Sequence, residues 1–276
     1  MERLEPRDAR GQKEHRFPVP VAALERTSKL ALARSVQQRM YPASPPDSRG
    51  FDIAGIAVPA DETGGDYYDH LRLPGGGLTL AVGDVSGHRS DAALHVIQAR
   101  TMLRAVILTQ SDPGAALSRM NSLLLDELDE HRFMTLVLAC LDSQSRTLRF
   151  ASAGHTTGYL LEACVRLKAE WASTGVPLGL ICGANFESVS VAGLEEGDIV
   201  ALFTDGIVES ADDAAYYGPE GALRELRRHR HESASDIVQH VCEDAQAFGR
   251  GPQLDDMTMV VCKFGACHGD RGAPAS

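Results

Sequence analysis

Four short acidic motifs place an aspartate beside an apolar segment, and these are the residues that could do chemistry. They are GGDYYD (64–69), GDVSGH (83–88), TDG (204–206) and DDMT (255–258). Aspartate favours turns, so a strand that simply ends there explains any one of them. Most also carry a neighbouring glycine, which lets the backbone approach an ion or a phosphate closely. The four together favour one shared site.

An all-oxygen cluster of this kind predicts a hard divalent cation. Several carboxylates cannot stay ionised side by side without a compensating positive charge. Mg²⁺ and Mn²⁺ prefer carboxylates, carbonyls and water, whereas zinc prefers histidine or cysteine. Two such ions about 3.5–4 Å apart share an aspartate, activate a water and stabilise an in-line phosphoryl displacement. The motifs are therefore typical of a two-metal site for phosphoryl chemistry.

The elements that must position these motifs follow no strict β-α-β order. Alternating apolar residues predict strands over 51–59, 66–73, 78–84, 133–142, 147–154, 157–163, 184–192, 198–205 and 257–264. The segment PGGG between the second and third strands predicts a hairpin. Many strands with two groups of helices indicate an α+β fold with antiparallel sheets.

Helical spacing predicts three further elements. A helix over 90–109 should bury one side, formed by Ala93, Leu94, Ile97, Thr101 and Leu108. Asp112 and Pro113 should open a second helix, with a stripe of Leu117, Met120, Leu124 and Leu128. Near 235–248 a third should begin at a Ser233 cap and stop at Gly249. A less regular pattern predicts helix over 21–40, before three prolines.

Composition limits the partners and the compartment. The 276 residues include 27 Lys and Arg against 38 Asp and Glu, a net charge of −11, which disfavours nucleic acid as a partner. No apolar run approaches the roughly 18 residues that span a membrane, and the N-terminus lacks the apolar core of a signal peptide. Six cysteines form no C-x-x-C pair and favour free thiols. We predict a cytoplasmic protein with neither membrane nor nucleic-acid contact.

Five motifs in a fixed order carry a resemblance to a known family. GGDYYD, GDVSGH, ASAGH, LFTDGIVE and DDMTMVV resemble the SpoIIE-like branch of the metal-dependent (PPM, type 2C) protein serine/threonine phosphatases, over about residues 30–265. The resemblance implies a four-layer α/β/β/α sandwich of two antiparallel sheets flanked by helix pairs. It divides the chain into a basic tail and lead-in (1–29), a regulatory linker helix (30–47), a phosphatase domain (48–265) and a C-terminal tail (266–276).

The resemblance also assigns metal ligands, with two Mn²⁺ or Mg²⁺ ions as cofactors. Asp66 matches the ligand of the first ion, and Asp84 matches the aspartate that bridges both ions, so these two are the predicted catalytic residues. The backbone carbonyl of Val85 matches a further ligand. Asp205 and Asp255 match the carboxylates of the second ion. All four acidic positions are filled, which favours an active enzyme.

The motif GDVSGH is followed by Arg89, where the family commonly has glycine. An arginine there could hold the substrate phosphate in a bidentate contact, or it could simply face solvent. His88 could contact the substrate and protonate its leaving alkoxide. His155 is more simply explained by a structural hydrogen bond, and Asp256 matches a position beside the ions.

By the same resemblance, the predicted substrate is a phosphorylated anti-anti-sigma (STAS) protein in a partner-switching pathway. The segment LALARSVQQRMYP (30–42) resembles the helix through which this branch is regulated. It should bind a regulatory protein or a second copy of the chain, unless it is a plain packing helix. The alternative for the whole chain is a catalytically silent interaction module of the same fold. The basic run 224–231 is either a solvated helix face or a site for an acidic partner.

Overall fold

The computed structural model describes residues 31–44, 50–73, 76–87, 90–129, 131–155, 157–212 and 214–265. In this part of the chain the strands are β1 (Phe51–Val58), β2 (Asp66–Arg72), β3 (Leu78–Val85), β4 (Met134–Asp142), β5 (Thr147–Ala153), β6 (Thr157–Leu161), β7 (Leu167–Trp171), β8 (Val189–Ala192), β9 (Ile199–Phe203) and β10 (Met257–Phe264). The helices are α1 (31–38), α2 (Ser90–Ile107), α3 (Pro113–Leu124), α4 (Asp205–Val208), α5 (Gly218–Arg228) and α6 (Ala234–Phe248).

The strands form two five-stranded sheets in which every neighbouring pair is antiparallel. The first sheet has the order β2-β3-β4-β5-β8, and the second has the order β1-β10-β9-β6-β7. The predicted hairpin is confirmed, since Arg72 pairs with Leu78 and the Leu73 N–H donates to the Gly77 carbonyl at 2.8 Å. The α+β prediction is confirmed with it.

Three apolar cores separate four layers. Between the sheets lie side chains such as Leu80, Val82, Leu202 and Val260. A second core joins the first sheet to α2 and α3, and a third joins the second sheet to α5 and α6. Strand β3 shows why both faces of a sheet are apolar: Leu80 and Val82 face the other sheet, while Ala81 faces the helices. The predicted α/β/β/α sandwich is confirmed.

The predicted buried side of α2 is partly wrong. Leu94 and Leu108 are each 65% exposed, and Thr101 is exposed too. The buried side instead follows Val96, Leu103 and Ile107, together with small alanines. Alanines contribute little to a hydrophobic pattern, but they let the helix lie close to the sheet. The sequence pattern was therefore centred on the wrong residues.

The caps and the α3 stripe match their predictions. The Ala115 N–H donates to Asp112 Oδ1 at 3.0 Å, and the Asp236 N–H donates to Ser233 Oγ at 3.1 Å. Gly249 ends α6. The stripe residues Leu117, Met120 and Leu124 are buried, whereas Leu128 lies beyond the helix and packs against its core.

Two strand predictions need correction. The segment 184–192 is a strand only from Val189, because Phe186 turns into the core beneath α3. Strand β7 was missed, although its five residues LKAEW alternate apolar and charged side chains. It is a short strand at the sheet edge, and pairing with β6 completes it.

The described cysteines are free thiols, as predicted. Burial raises the pKa of Cys140 to about 11 and that of Cys242 to about 12, and Cys262 is buried as well. Cys267 lies outside the described residues. None of the helices within the described ranges combines the length and the apolar character needed to cross a bilayer.

Candidate active site

Two of the predicted aspartates face each other across one hairpin. Asp66, the first residue of β2, pairs directly with Asp84 near the end of β3. Residues directly opposite each other in an antiparallel pair point to the same face, with Cβ atoms about 4.5–5.5 Å apart. The next pair is closed by the Val85 N–H, which donates to the Gly65 carbonyl at 3.0 Å. The hairpin alone therefore brings two carboxylates together.

The other two aspartates come from the second sheet. Asp205 follows β9 and begins α4, whereas Asp255 precedes β10 by two residues. Since β9 and β10 are antiparallel neighbours, the end of one lies beside the start of the other. We call Asp66, Asp84, Asp205 and Asp255 the aspartate cluster.

The electrostatics show how closely the cluster is gathered. Burial, and then the negative charges of Asp205 and Asp255, raise the pKa of Asp84 to about 7. Asp66 is fully buried, so its pKa lies well above its ordinary value, with Asp84 as the largest charged contributor. Carboxylates that raise one another's pKa in this way would be stabilised by a bound cation.

Asp256 holds the backbone of the loop that precedes β2. Its Oδ1 accepts the Ala60 N–H and its Oδ2 accepts the Gly65 N–H, both at 2.7 Å. A Cβ on Gly64 would lie 2.2 Å from Asp256 Oδ2, so only glycine fits there. Both carboxylate oxygens of Asp256 thus already accept backbone hydrogen bonds.

Sequence reasoning missed Thr204, which joins the two sheets at the cluster. Its hydroxyl donates to Asp66 Oδ2 at 2.8 Å and accepts the Thr258 N–H at 3.0 Å. The hydrogen bond favours the charged carboxylate, because it lowers the pKa of Asp66 against the effect of burial. The sequence signal that could have found Thr204 is its position: a hydroxyl residue stands directly between an apolar strand and the metal-ligand candidate Asp205.

Arg132 was missed as well. It lies against the GDVSGH loop, where its Nη1 donates to the Ser86 carbonyl at 3.3 Å and would lie 2.6 Å from a Cβ on Gly87. Its guanidinium also pairs with Asp91 at 3.6 Å. Arg132 therefore ties the end of β3 to the start of α2. The predicted substrate contacts His88 and Arg89 lie outside the described residues.

His155 makes internal hydrogen bonds, as the structural role predicted for it requires. The side chain is buried, with Nε2 3.2 Å from the Phe203 carbonyl and Nδ1 3.1 Å from Thr135 Oγ1. A carbonyl only accepts, so Nε2 carries the proton and Nδ1 accepts from the threonine. Burial lowers the pKa of His155 to about 4, which keeps the ring neutral.

The donor set fits hard divalent ions. It consists of carboxylate oxygens together with the Val85 carbonyl, and hard cations prefer such ligands. A Cβ on Gly65 would lie 2.7 Å from that carbonyl and 2.9 Å from Asp84 Oδ1, so glycine leaves both oxygens accessible. A cleft of about 470 Å³ opens beside them and is lined by Gly65, Asp255 and Asp256, among others.

Comparison with known proteins agrees with this geometry. The sequence model of the family Stage II sporulation protein E (SpoIIE) matches residues 74–265. Phosphoserine phosphatase RsbU of Bacillus subtilis (strain 168) is 25% identical over 236 residues, covering 86% of this chain and 70% of that protein. Stage II sporulation protein E of Priestia megaterium is 24% identical over 77% of this chain, which spans 36% of that longer protein.

Solved structures show the same fold. The SiaA-PP2C domain of Pseudomonas aeruginosa superposes with a TM-score of 0.78 at 23% identity, over 89% of this chain and all of that one. The RsbU and RsbW domains of Rv1364c from Mycobacterium tuberculosis superpose with a TM-score of 0.68 at 27% identity, over 83% of this chain and 64% of that one. RsbX in complex with magnesium superposes with a TM-score of 0.59 at 13% identity, over 79% of this chain and 98% of that one.

The sandwich and its strand-end aspartates define the class as a metal-dependent protein serine/threonine phosphatase of the PP2C type. Since the family model covers more than half of its residues, the chain belongs to the SpoIIE family.

Proposed function

We propose that the chain hydrolyses phosphoserine or phosphothreonine on a partner protein. The observation that carries this proposal is the facing pair Asp66 and Asp84, which Asp205 and Asp255 complete from the second sheet. The aspartate cluster and the Val85 carbonyl would hold two Mg²⁺ or Mn²⁺ ions. When bound, such ions activate water and neutralise the charge of the phosphoryl group.

The surrounding residues have distinct positioning roles in this proposal. Thr204 fixes the orientation of Asp66 through its hydroxyl. Asp256 fixes the loop over 60–65 through two backbone N–H groups. These contacts hold the ligand side chains in place before an ion binds, which lowers the free-energy cost of ordering them on binding.

The proposed substrate is a phosphorylated STAS-domain anti-anti-sigma protein. The likeness to RsbU supports this choice, as does the likeness to a chain with RsbU and RsbW domains. A folded substrate must also cover the surface around the cleft. Leu254 is 90% exposed at its edge, and a neighbouring cleft of about 620 Å³ runs from Leu254 to Tyr216. These two side chains offer apolar contacts to such a protein.

The test is phosphate release from candidate phosphorylated STAS proteins, with Mn²⁺ and with EDTA. We expect manganese-dependent release that Asp84→Asn lowers by roughly 10²–10³-fold and that Asp126→Asn, an exposed aspartate beyond α3, leaves unchanged. Turnover of p-nitrophenyl phosphate by the same proteins reports the chemistry without the protein substrate. If no divalent ion supports either reaction, the silent interaction module is the correct function.

Regulation through segment 30–47 belongs to the same proposal. The Gln37 side chain donates to the Gly64 carbonyl at 2.6 Å and accepts the Gly64 N–H at 3.1 Å. The Tyr41 hydroxyl donates to the Asp66 carbonyl at 3.0 Å. The same segment exposes Leu32 and Val36 on α1. A regulatory protein or a second copy that binds α1 would thus act on the loop beside Asp66.

A chain that begins at Ser48 tests this regulation. It lacks Gln37 and Tyr41, so we expect a lower activity with Mn²⁺ or a change in the oligomeric state measured by light scattering. If the shortened protein keeps both the activity and the oligomeric state of the parent, α1 is a plain packing helix.

A further inference from the structure

The arginines of the basic run 224–231 mostly form ion pairs with acidic residues of the same chain. Arg224 lies 2.9 Å from Asp244 and 3.2 Å from Glu225, and Arg228 lies 3.7 Å from Glu225. These ion pairs leave less positive charge for an acidic partner. At the end of the run, however, His229 enters a different arrangement.

Three potential metal ligands converge where α5 turns into α6. The Nδ1 atom of His229 lies 3.0 Å from Glu232 Oε1, and the Nε2 atom of His240 lies 3.1 Å from Glu232 Oε2. The two imidazole rings stack with their centroids 3.9 Å apart and their planes at 22°, so one ring must turn before both can direct a lone pair at the same ion. One ligand atom from each of the three residues lies within 4.8 Å of the other two. We call these three residues the histidine cluster.

A second carboxylate sets the orientation of one imidazole. Glu225 has a side chain only 6% exposed, and its Oε2 lies 3.4 Å from His229 Nε2. The Glu232 carboxylate can only accept, so Nδ1 carries the proton in its hydrogen bond to Glu232 Oε1. A metal bound at Nδ1 would displace that proton, and Glu225 would then hold the ring proton at Nε2. Metal-bound histidines almost always give their other ring nitrogen to such a carboxylate. Glu225 lies on the opposite side of the His229 ring from Glu232 and is buried.

We propose that His229 Nδ1, His240 Nε2 and the Glu232 carboxylate form a binding site for Zn²⁺, with water as the fourth ligand. Imidazole and carboxylate donors suit late transition ions, whereas Mg²⁺ prefers oxygen alone. Bonds of about 2.0–2.2 Å place neighbouring donors roughly 3.3 Å apart. His240 and Glu232 are partly exposed, at 41% and 43%, so they can move the short distance required.

The site lies far from the aspartate cluster. The Glu232 carbonyl accepts from Lys263 near the end of β10, whereas Asp255 precedes the start of that strand. Eight residues of strand extend over about 24 Å. A metal here would therefore not take part in phosphate hydrolysis. It would join the end of α5 to α6 and stabilise the helix layer on the second sheet.

The experiment is a Zn²⁺ titration of the full chain against a chromophoric chelator, in excess Mg²⁺ to occupy the aspartate cluster. We expect one tight Zn²⁺ per chain. His240→Ala should lose more than the roughly 100-fold that removal of an outer-shell partner costs, because it removes a ligand. His131→Ala, an exposed histidine before β4, is the matched control and should bind as the parent does. A double variant, Cys164→Ser with Cys182→Ser, should also keep the tight site, since these exposed thiols are not ligands.

Cobalt gives a second readout that does not depend on affinity. Co²⁺ held by two imidazoles should show visible absorption bands that His240→Ala and Glu232→Gln remove and Asp84→Asn retains. Circular dichroism checks that each variant is folded, and Glu232→Gln decides the question if His240→Ala does not fold. Equal Zn²⁺ affinity and equal Co²⁺ bands in the parent and the folded variants would overturn the proposal. The Mn²⁺-dependent turnover should stay unchanged in His240→Ala.

Discussion

The aspartate cluster and the histidine cluster lie at opposite ends of the second sheet and are built in different ways. The first draws Asp66, Asp84, Asp205 and Asp255 from both sheets, and Asp66 is fully buried. The second is formed within one helix–turn–helix segment and is partly open to solvent. The buried cluster depends on the whole sandwich, whereas the exposed one depends mainly on how α5 and α6 pack together. Long-range assembly fixes ligand geometry firmly, but it also places like charges in a low-dielectric environment.

The largest expected effect separates the two clusters. Asp84→Asn should lower Mn²⁺-dependent turnover of p-nitrophenyl phosphate by roughly 10²–10³-fold, the loss typical of one electrostatic contact to the transition state. It should leave Zn²⁺ binding at the histidine cluster unchanged. Steady-state kinetics and the chelator titration measure the two effects on the same preparation. A parallel loss of both would show that the clusters are not independent.

A smaller effect should follow from Thr204→Val, which removes the hydroxyl donated to Asp66 while keeping the side-chain shape. Loss of a hydrogen bond that supports a metal ligand costs about 10–100-fold in metal affinity or activity. The measurement is the Mn²⁺ concentration that gives half-maximal activity. Thr204→Ser keeps the hydroxyl and should restore most of the affinity. A Val variant as active as the parent at low Mn²⁺ would rule out this positioning role.

The charge crowding at the aspartate cluster should appear as a pH dependence of stability in EDTA. The pKa of Asp84 is raised to about 7, so the folded protein binds a proton there that the unfolded chain releases near pH 4. The free energy of unfolding should therefore fall as pH rises from about 4 to about 7. Thermal melting at a series of pH values measures this. Asp84→Asn should flatten the fall and Asp126→Asn should not; equal slopes in all three would contradict the prediction.

The smallest expected effect concerns the helix that carries part of the histidine cluster. Ser233→Ala removes the cap at the start of α6, the helix that carries His240. Loss of such a cap costs about 1 kcal/mol of stability. Urea unfolding should show this loss, while Mn²⁺-dependent turnover stays at the parental value. Reduced turnover in a fully folded Ser233→Ala protein would mean that the α6 start is coupled to the distant aspartate cluster.

Much of the catalytic region follows from sequence because its signals are local. The hairpin that pairs Asp66 with Asp84 needs only two alternating segments and a glycine-rich turn between them. The caps Asp112 and Ser233 act within three residues of their own positions. The residue types favour one shared site for all four aspartates, and the family resemblance assigns Asp205 and Asp255 to its second ion.

Other features are set by neighbours that no local pattern contains. Leu94 and Leu108 fit a helical stripe, yet the sheet lies against the side that carries Val96 and Leu103. Strand β7 is only five residues long, and its pairing with β6 at the sheet edge makes it a strand. The packing of α2 on the sheet and the pairing of β7 with β6 depend on how the elements are arranged in the fold.

The sequence by itself determined the strand-end aspartates, the hairpin, the helix caps and the α+β class, because each depends on residues close together in the chain. Only the tertiary structure decided that Gln37 holds Gly64, that Thr204 holds Asp66, and which side of α2 is buried. It also decided that His229 and His240 share Glu232. Most of these contacts join residues that lie far apart in the chain, and all of them depend on which elements pack against each other.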